Sequence, residues 1–123
     1  MAKVLGVGGI FFKARDPKAL MAWYQAHLGI PAESTDYAAF QSADMPAGGS
    51  TTFCPFKEDT TYFAPSTREF MFNLVVDDLE GALRQVKAAG AELLGEMESY
   101  DYGRFGRFMD PEGNKVELWE PKQ

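Results

Sequence analysis

The stretch Asp110-Pro111-Glu112-Gly113-Asn114 lies between Phe105-Gly106-Arg107-Phe108-Met109 and Lys115-Val116-Glu117-Leu118-Trp119, and it leaves the chain few choices. Aspartate bonds readily to backbone amides beyond it, proline presets the first torsion of a turn, and glycine or asparagine accepts a positive φ. Two strands must flank such a turn. If the five residues form the loop and Met109 pairs with Lys115, then Arg107 stands opposite Glu117, Phe105 opposite Trp119 and Phe108 opposite Val116. One face then carries Gly106, Phe108, Val116 and Leu118 and is suited to packing against a helix. The other carries Phe105, Arg107, Met109, Lys115, Glu117 and Trp119, aromatic with opposite charges inside it, and is suited to lining a cavity.

The rest of the chain reads as the same pattern run twice. Val4 to Ala14 is a strand rich in Val, Ile and Phe, Asp16-Pro17 supplies a helix cap and a first-turn proline, and a helix over Pro17 to Leu28 closes at Gly29. Short strands follow at Tyr37 to Gln41 and Thr51 to Phe56, around the Pro46-Ala47-Gly48-Gly49 turn. The order then restarts with a strand over Phe70 to Val76. Asp77-Asp78-Leu79-Glu80 reads as a capping box in which Glu80 reaches back to the cap amide. Leu79, Ala82, Leu83 and Val86 form the apolar face of a second helix ending at Gly90, and strands fit Ala91 to Met97, Arg104 to Met109 and Lys115 to Glu120. The expected fold class is α+β, with two βαβββ modules over about residues 1–60 and 68–123 in a single domain, joined by Lys57 to Thr67.

Composition narrows the function classes. A chain of 123 residues with 46% apolar content buries a real core without disulfides, and the single cysteine, Cys54, excludes an intrachain disulfide. A net charge of -6 with no basic cluster argues against nucleic acid or an anionic membrane as partner. No apolar run approaches the roughly 20 residues that span a bilayer. The start, with one lysine and an apolar run broken by glycines, makes a poor signal peptide, so a cytoplasmic protein is expected.

Three motifs in order, Phe11-Phe12-Lys13-Ala14-Arg15-Asp16-Pro17 leading to Leu28-Gly29, then Phe72-Asn73-Leu74-Val75-Val76-Asp77-Asp78-Leu79, then the Asp110 hairpin, give a chain that resembles the vicinal oxygen chelate superfamily. This is the group of glyoxalase I, extradiol dioxygenases, fosfomycin-resistance transferases and bleomycin-binding proteins. The resemblance implies a glyoxalase-like cup of curved sheets, often completed by dimerisation, with a divalent metal at its bottom in the enzymes. The family's opening-strand ligands fall seven residues before each helix-capping Asp, here on Gly9 and Met71, neither of which suits a hard divalent cation. Ser50 to Phe56 offers no His, Asp or Glu for another slot, and Glu117 alone matches. The expected cofactor is therefore none, a divalent metal at Glu117 being the alternative.

A carboxylate facing an apolar cup needs a partner, because an uncompensated buried charge costs on the order of several kcal/mol. Arg107, across the hairpin, is the expected cation in place of the metal. If Gly9 and Met71 mark the inward face, alternation adds Phe11, Lys13, Asn73 and Val75, while Ile10, Phe12, Phe72, Leu74 and Val76 point toward the helices. The expected site is then Glu117 as candidate catalytic residue, with Phe11, Lys13, Met71, Asn73, Arg107 and Trp119 binding the ligand. His27 reads as a helix cap, Cys54 as a partly buried small hydrophobe, and Tyr100 and Tyr102 as ordinary loop aromatics. The function expected is binding of a small organic molecule in an apolar cup, either by a sequestration protein or by an enzyme in which Glu117 takes a proton next to a carbonyl, as the resemblance to glyoxalase I implies. The alternatives are a metal-dependent glyoxalase-type lyase or isomerase with a non-standard ligand set, and a purely non-enzymatic binding protein. A homodimer is expected in each case, since curved modules leave sheet edges to cover.

Overall fold

The structure, a computed structural model, describes residues 1–122. Its sheet is built by the second half of the chain: β1 (Phe72–Val75), β2 (Glu92–Tyr100), β3 (Gly103–Met109) and β4 (Lys115–Pro121), in the spatial order β1-β4-β3-β2. β1 runs parallel to β4, and the β2/β3 and β3/β4 pairs are antiparallel. The β3/β4 register is the one the turn dictates, with Met109 paired to Lys115, Phe108 to Val116, Arg107 to Glu117 and Phe105 to Trp119.

Two helices, α1 (Pro17–Leu28) and α2 (Leu79–Ala88), cover one face of this sheet. Phe108, Val116 and Leu118 are fully buried there with Leu79 and Val86, and Leu20 and Tyr24 of α1 join the same cluster. Gly106 belongs to this face because a Cβ there would sit 2.8 Å from Leu83 Cδ1, so the strand can approach α2 only without a side chain. α1 forms where expected. Asp16 caps it by accepting from the Ala19 amide at 3.1 Å, and Gly29 ends it at φ 63°.

The hairpin turn anchors this helix. Glu112 accepts from the amides of Arg15 and Asp16 at 3.0 and 2.9 Å, and buried Asp110 accepts from the Tyr24 hydroxyl at 2.8 Å. The turn is therefore a hub between α1 and the sheet as well as a reversal of direction.

The first half departs from expectation. Among the described residues, Val4 to Ala14, Tyr37 to Gln41 and Thr51 to Phe56 form no strands, and the first module contributes α1, a short helical turn at Ser42–Asp44 and one isolated bridge between Ala32 and Ala38. The reason is that a strand is held by its neighbour's ladder. The edges available in one chain are β1, only four residues long, and β2, whose register against β3 slips between Leu94 and Glu98 around Gly95 at φ 65°. The extended first segment touches the sheet through Phe12, whose ring lies 4.6 Å from that of Phe72.

The capping box also differs. Asp78 caps α2 by accepting from the Gly81 amide at 3.0 Å, but Glu80 is two residues past the cap rather than three and pairs with Arg104 at 2.9 Å instead. Glu120 takes the free Leu79 amide at 2.9 Å, and the Arg104 guanidinium, followed by this amide, holds its carboxyl below the usual glutamate range. Cys54 is exposed rather than partly buried. No helix among the described residues is long and apolar enough to cross a membrane.

Candidate functional site

The face opposite the helices carries the site. Antiparallel pairing puts Arg107 of β3 beside Glu117 of β4, and parallel pairing puts Asn73 of β1 on the other side of Glu117. Arg107 Nε donates to Glu117 Oε2 at 3.1 Å, and Asn73 Nδ2 donates to Glu117 Oε1 at 2.9 Å. The pair is largely sheltered, with side-chain exposures of 14% for Arg107 and 12% for Glu117, unlike an ion pair on a solvated strand surface.

Two further residues complete the cluster. Glu98, brought near by the slip in β2, meets Arg107 Nη2 at 2.6 Å through Oε1 and accepts from the Tyr100 hydroxyl at 3.0 Å through Oε2. Tyr62 arrives from the connection between the two halves. Its hydroxyl donates to Glu117 Oε2 at 2.8 Å and accepts from Arg107 Nε at 3.2 Å. Although burial works against the charge of Arg107, the bonds to Glu98 and Tyr62 hold its pKa above the usual value. Burial, and then the bond to Glu117, push the Tyr62 phenol up, so it stays a donor.

Lys115 ties down the segment that delivers Tyr62. Its buried ammonium donates to the carbonyls of Tyr62 and Ala64 at 2.5 and 3.1 Å and lies 4.7 Å from the centre of the Tyr62 ring. Desolvation, reinforced by Arg107, lowers its pKa. Ser66 Oγ and Arg68 Nη2 fasten the same segment to the hairpin through the carbonyls of Gly113 and Glu112.

Aromatic rings surround the charged floor. Phe105 and Trp119 lie parallel with centroids 5.9 Å apart, Tyr100 and Tyr102 stack at 5.4 Å, and Phe105 meets both tyrosines edge-on. Trp119 Nε1 donates to the Tyr102 carbonyl at 3.0 Å, which fixes the β2/β3 turn against the sheet. The result is a basin of about 310 Å³ lined by Tyr62, Tyr100, Tyr102, Phe105, Arg107 and Glu117.

Of the residues expected from sequence, the structure brings together Glu117, Arg107, Asn73 and Trp119. Met71 lies one residue before β1, half-buried, and does not line the basin. Phe11 and Lys13 are exposed on the extended first segment, Phe11 at 96%, because the strand that would aim them inward has no ladder to join. Sequence reasoning missed Tyr62 and Glu98, and it placed Lys115 on the cavity face without giving it a part in the site. Tyr62 is 55 residues from its partner Glu117 and carries no local signal, and Glu98 reaches Arg107 only across the slipped register of β2.

The donor set does not fit the divalent metal of the family's enzymes. Both oxygens of Glu117 accept from N–H or O–H donors, one of them the guanidinium. Among the described residues no three His, Cys, Asp or Glu side chains converge.

The sequence pattern of the glyoxalase-like domain family matches residues 9–119. Among solved structures, a protein of unknown function from Agrobacterium tumefaciens shares the fold at a TM-score of 0.56, with 20% identity over 97% of this chain and 100% of the other. A protein from the mobile metagenome of V. Pseudocholerae does so at 0.57, with 17% identity over 100% of this chain and 99% of the other. An antibiotic-binding protein from a Streptomyces species is 27% identical at a TM-score of 0.37, over 42% of this chain and 41% of that one, so the match spans about two fifths of its length. No curated protein matches the chain. Because the family pattern runs through nearly the whole sequence, from Gly9 to Trp119, this protein belongs to the glyoxalase-like domain family of the vicinal oxygen chelate superfamily.

Proposed function

We propose that this protein binds a small planar aromatic molecule on the β3/β4 face, without a metal. The reading is carried by one observation: the rings of Tyr62, Tyr100, Tyr102 and Phe105 converge on a sheltered Arg107–Glu117 pair in a basin of small-molecule size. Aromatic walls supply stacking area, and a few polar groups fix orientation, which is the ordinary composition of a ligand pocket. With both oxygens of Glu117 engaged, nothing favours a free base there, and binding is the reading the geometry supports.

The test uses two naphthalene probes, 2-naphthol and 2-methoxynaphthalene, titrated calorimetrically into wild type and Trp119→Ala. Trp119 backs Phe105 and holds Tyr102 in place, so its loss should weaken binding of either probe by about threefold to tenfold, in line with aromatic pairs worth about 0.5–1.5 kcal/mol. Equal affinity for the two proteins would rule out the basin as the binding place.

The working unit we propose is a cytoplasmic homodimer. Val4, Leu5, Phe11 and Phe53 are each at least 85% exposed on extended segments without ladder partners, and the basin lacks the wall that Phe11 and Lys13 were expected to provide. A second copy offers both an edge for those segments and a use for that apolar surface. Sedimentation equilibrium at micromolar concentration should give twice the chain mass. A monomer at that concentration, with the N-terminal segment open to limited proteolysis, would remove this part of the proposal.

A further inference from the structure

We infer that the ligand is a phenol, and that Tyr62 occupies its place in the free protein as a tethered, displaceable stand-in. The inference rests on the aromatic-binding reading above and names the chemistry of the same site. Its basis is the pair of partners around one oxygen: the Tyr62 hydroxyl gives its proton to Glu117 Oε2 at 2.8 Å and receives an N–H from Arg107 Nε at 3.2 Å. This acceptor and donor side by side select a group that both donates and accepts through one atom.

Other ligand groups meet a penalty there. A carboxylate or phosphate faces the Glu117 charge, and an ammonium faces the Arg107 charge. An ether or carbonyl accepts from Arg107 but leaves Glu117 Oε2 only the Arg107 Nε–H that it must share with the ligand, a loss that grows as the site is desolvated. A hydroxyl on an aromatic ring satisfies both partners while its ring lies among Tyr100, Tyr102 and Phe105.

Tyr62 already shows this geometry, and its attachment allows it to leave. It lies on the connecting segment rather than in the sheet and is 38% exposed, and its ring stacks on Phe56, itself exposed, at 5.7 Å. The hydrogen bonds from Lys115, Ser66 and Arg68 hold the backbone of the segment or the residues after it, so the ring can swing out, giving up its contacts with the Lys115 and Arg107 cations, while the segment stays fastened. A tethered phenol competes at a high effective concentration, so the free protein is partly self-inhibited.

The experiment compares 2-naphthol with 2-methoxynaphthalene at neutral pH on wild type, Tyr62→Phe and Tyr62→Ala. Wild type should bind 2-naphthol at least tenfold more tightly than the methyl ether, as expected for a hydrogen bond to charged partners. Both Tyr62 variants should bind 2-naphthol several-fold more tightly than wild type, and Tyr62→Phe keeps the ring packing should Tyr62→Ala fold poorly. Similar affinities for the two probes, weakened together in Trp119→Ala, would overturn the phenol inference and leave aromatic binding standing. Binding of 2-naphthol that is unchanged or weaker in Tyr62→Phe would overturn the displacement. Failure of both probes on all three proteins would overturn the inference and the aromatic reading together.

Discussion

Asp110→Ala should lower stability by about 3 kcal/mol, the largest stability effect expected in this chain. Asp110 is 5% exposed, and its carboxylate accepts four hydrogen bonds: from the amides of Glu112 and Asn114 at 2.9 Å each, from Asn114 Nδ2 at 2.8 Å and from the Tyr24 hydroxyl at 2.8 Å. Alanine leaves all four donors without that acceptor. The Tyr24 phenol cannot compensate by ionising, since burial, the largest cause of its raised pKa, remains when Asp110 is gone. Each stranded buried donor costs about 1–3 kcal/mol, and water reaching the turn recovers part of the sum. Urea denaturation of the variant should show a lowered midpoint with an unchanged slope.

Tyr24→Phe is the informative companion. It removes one donor, leaves three on Asp110, and should lose about 1 kcal/mol. If Asp110→Ala lost no more than Tyr24→Phe, the turn would not be the hub that joins α1 to the sheet.

Arg107→Met should lower stability by about 2–3 kcal/mol. Breaking a fully buried pair by removing one partner costs more, about 3–5 kcal/mol, and the remaining 14% and 12% exposures of Arg107 and Glu117 bring the expectation down. Methionine fills much of the volume, so the loss reports the stranded Glu117 charge rather than a cavity. Asn73 and Tyr62 still donate to that carboxylate, but neither is a cation. The double variant Arg107→Met/Glu117→Gln should recover at least about 1 kcal/mol relative to the single, because it removes the charge along with its partner. Additive losses in a double-mutant cycle would show that the two residues do not act as a pair. In the binding experiment Arg107→Met should weaken 2-naphthol and its methyl ether alike and keep the preference for 2-naphthol, since both lose the N–H that meets the ligand oxygen while only the phenol gives Glu117 a proton.

The legible parts of the fold are those set by short-range chemistry. Proline at 111 and glycine at 113, the latter at φ 81°, dictate where the β3/β4 hairpin reverses, and a period of two then decides which side chains share a face. The Arg107–Glu117 contact and the packing of Phe108 and Val116 follow from register alone. The helix over Pro17–Leu28 follows in the same way from Asp16, Pro17 and Gly29. The segments Val4 to Ala14 and Thr51 to Phe56 have strand composition, but a strand needs a partner, and none of their residues encodes where that partner is.

The site divides along the same line. Glu117, Arg107, Asn73 and Trp119 lie on strands of one sheet, so periodicity and pairing place them. Tyr62 and Glu98 enter through a segment crossing from the other half and a slip in β2, and Lys115, placed on the same face by register, finds its partners in carbonyls of that distant segment. By itself the sequence determined a paired carboxylate on an aromatic sheet face, because turn chemistry and alternation act over a few residues. Only the tertiary structure decided that a tyrosine from the connecting segment sits on that carboxylate, and that the first half leaves its apolar strands unpaired. Both depend on which surfaces meet, a choice made by burial across the whole chain rather than by any local preference.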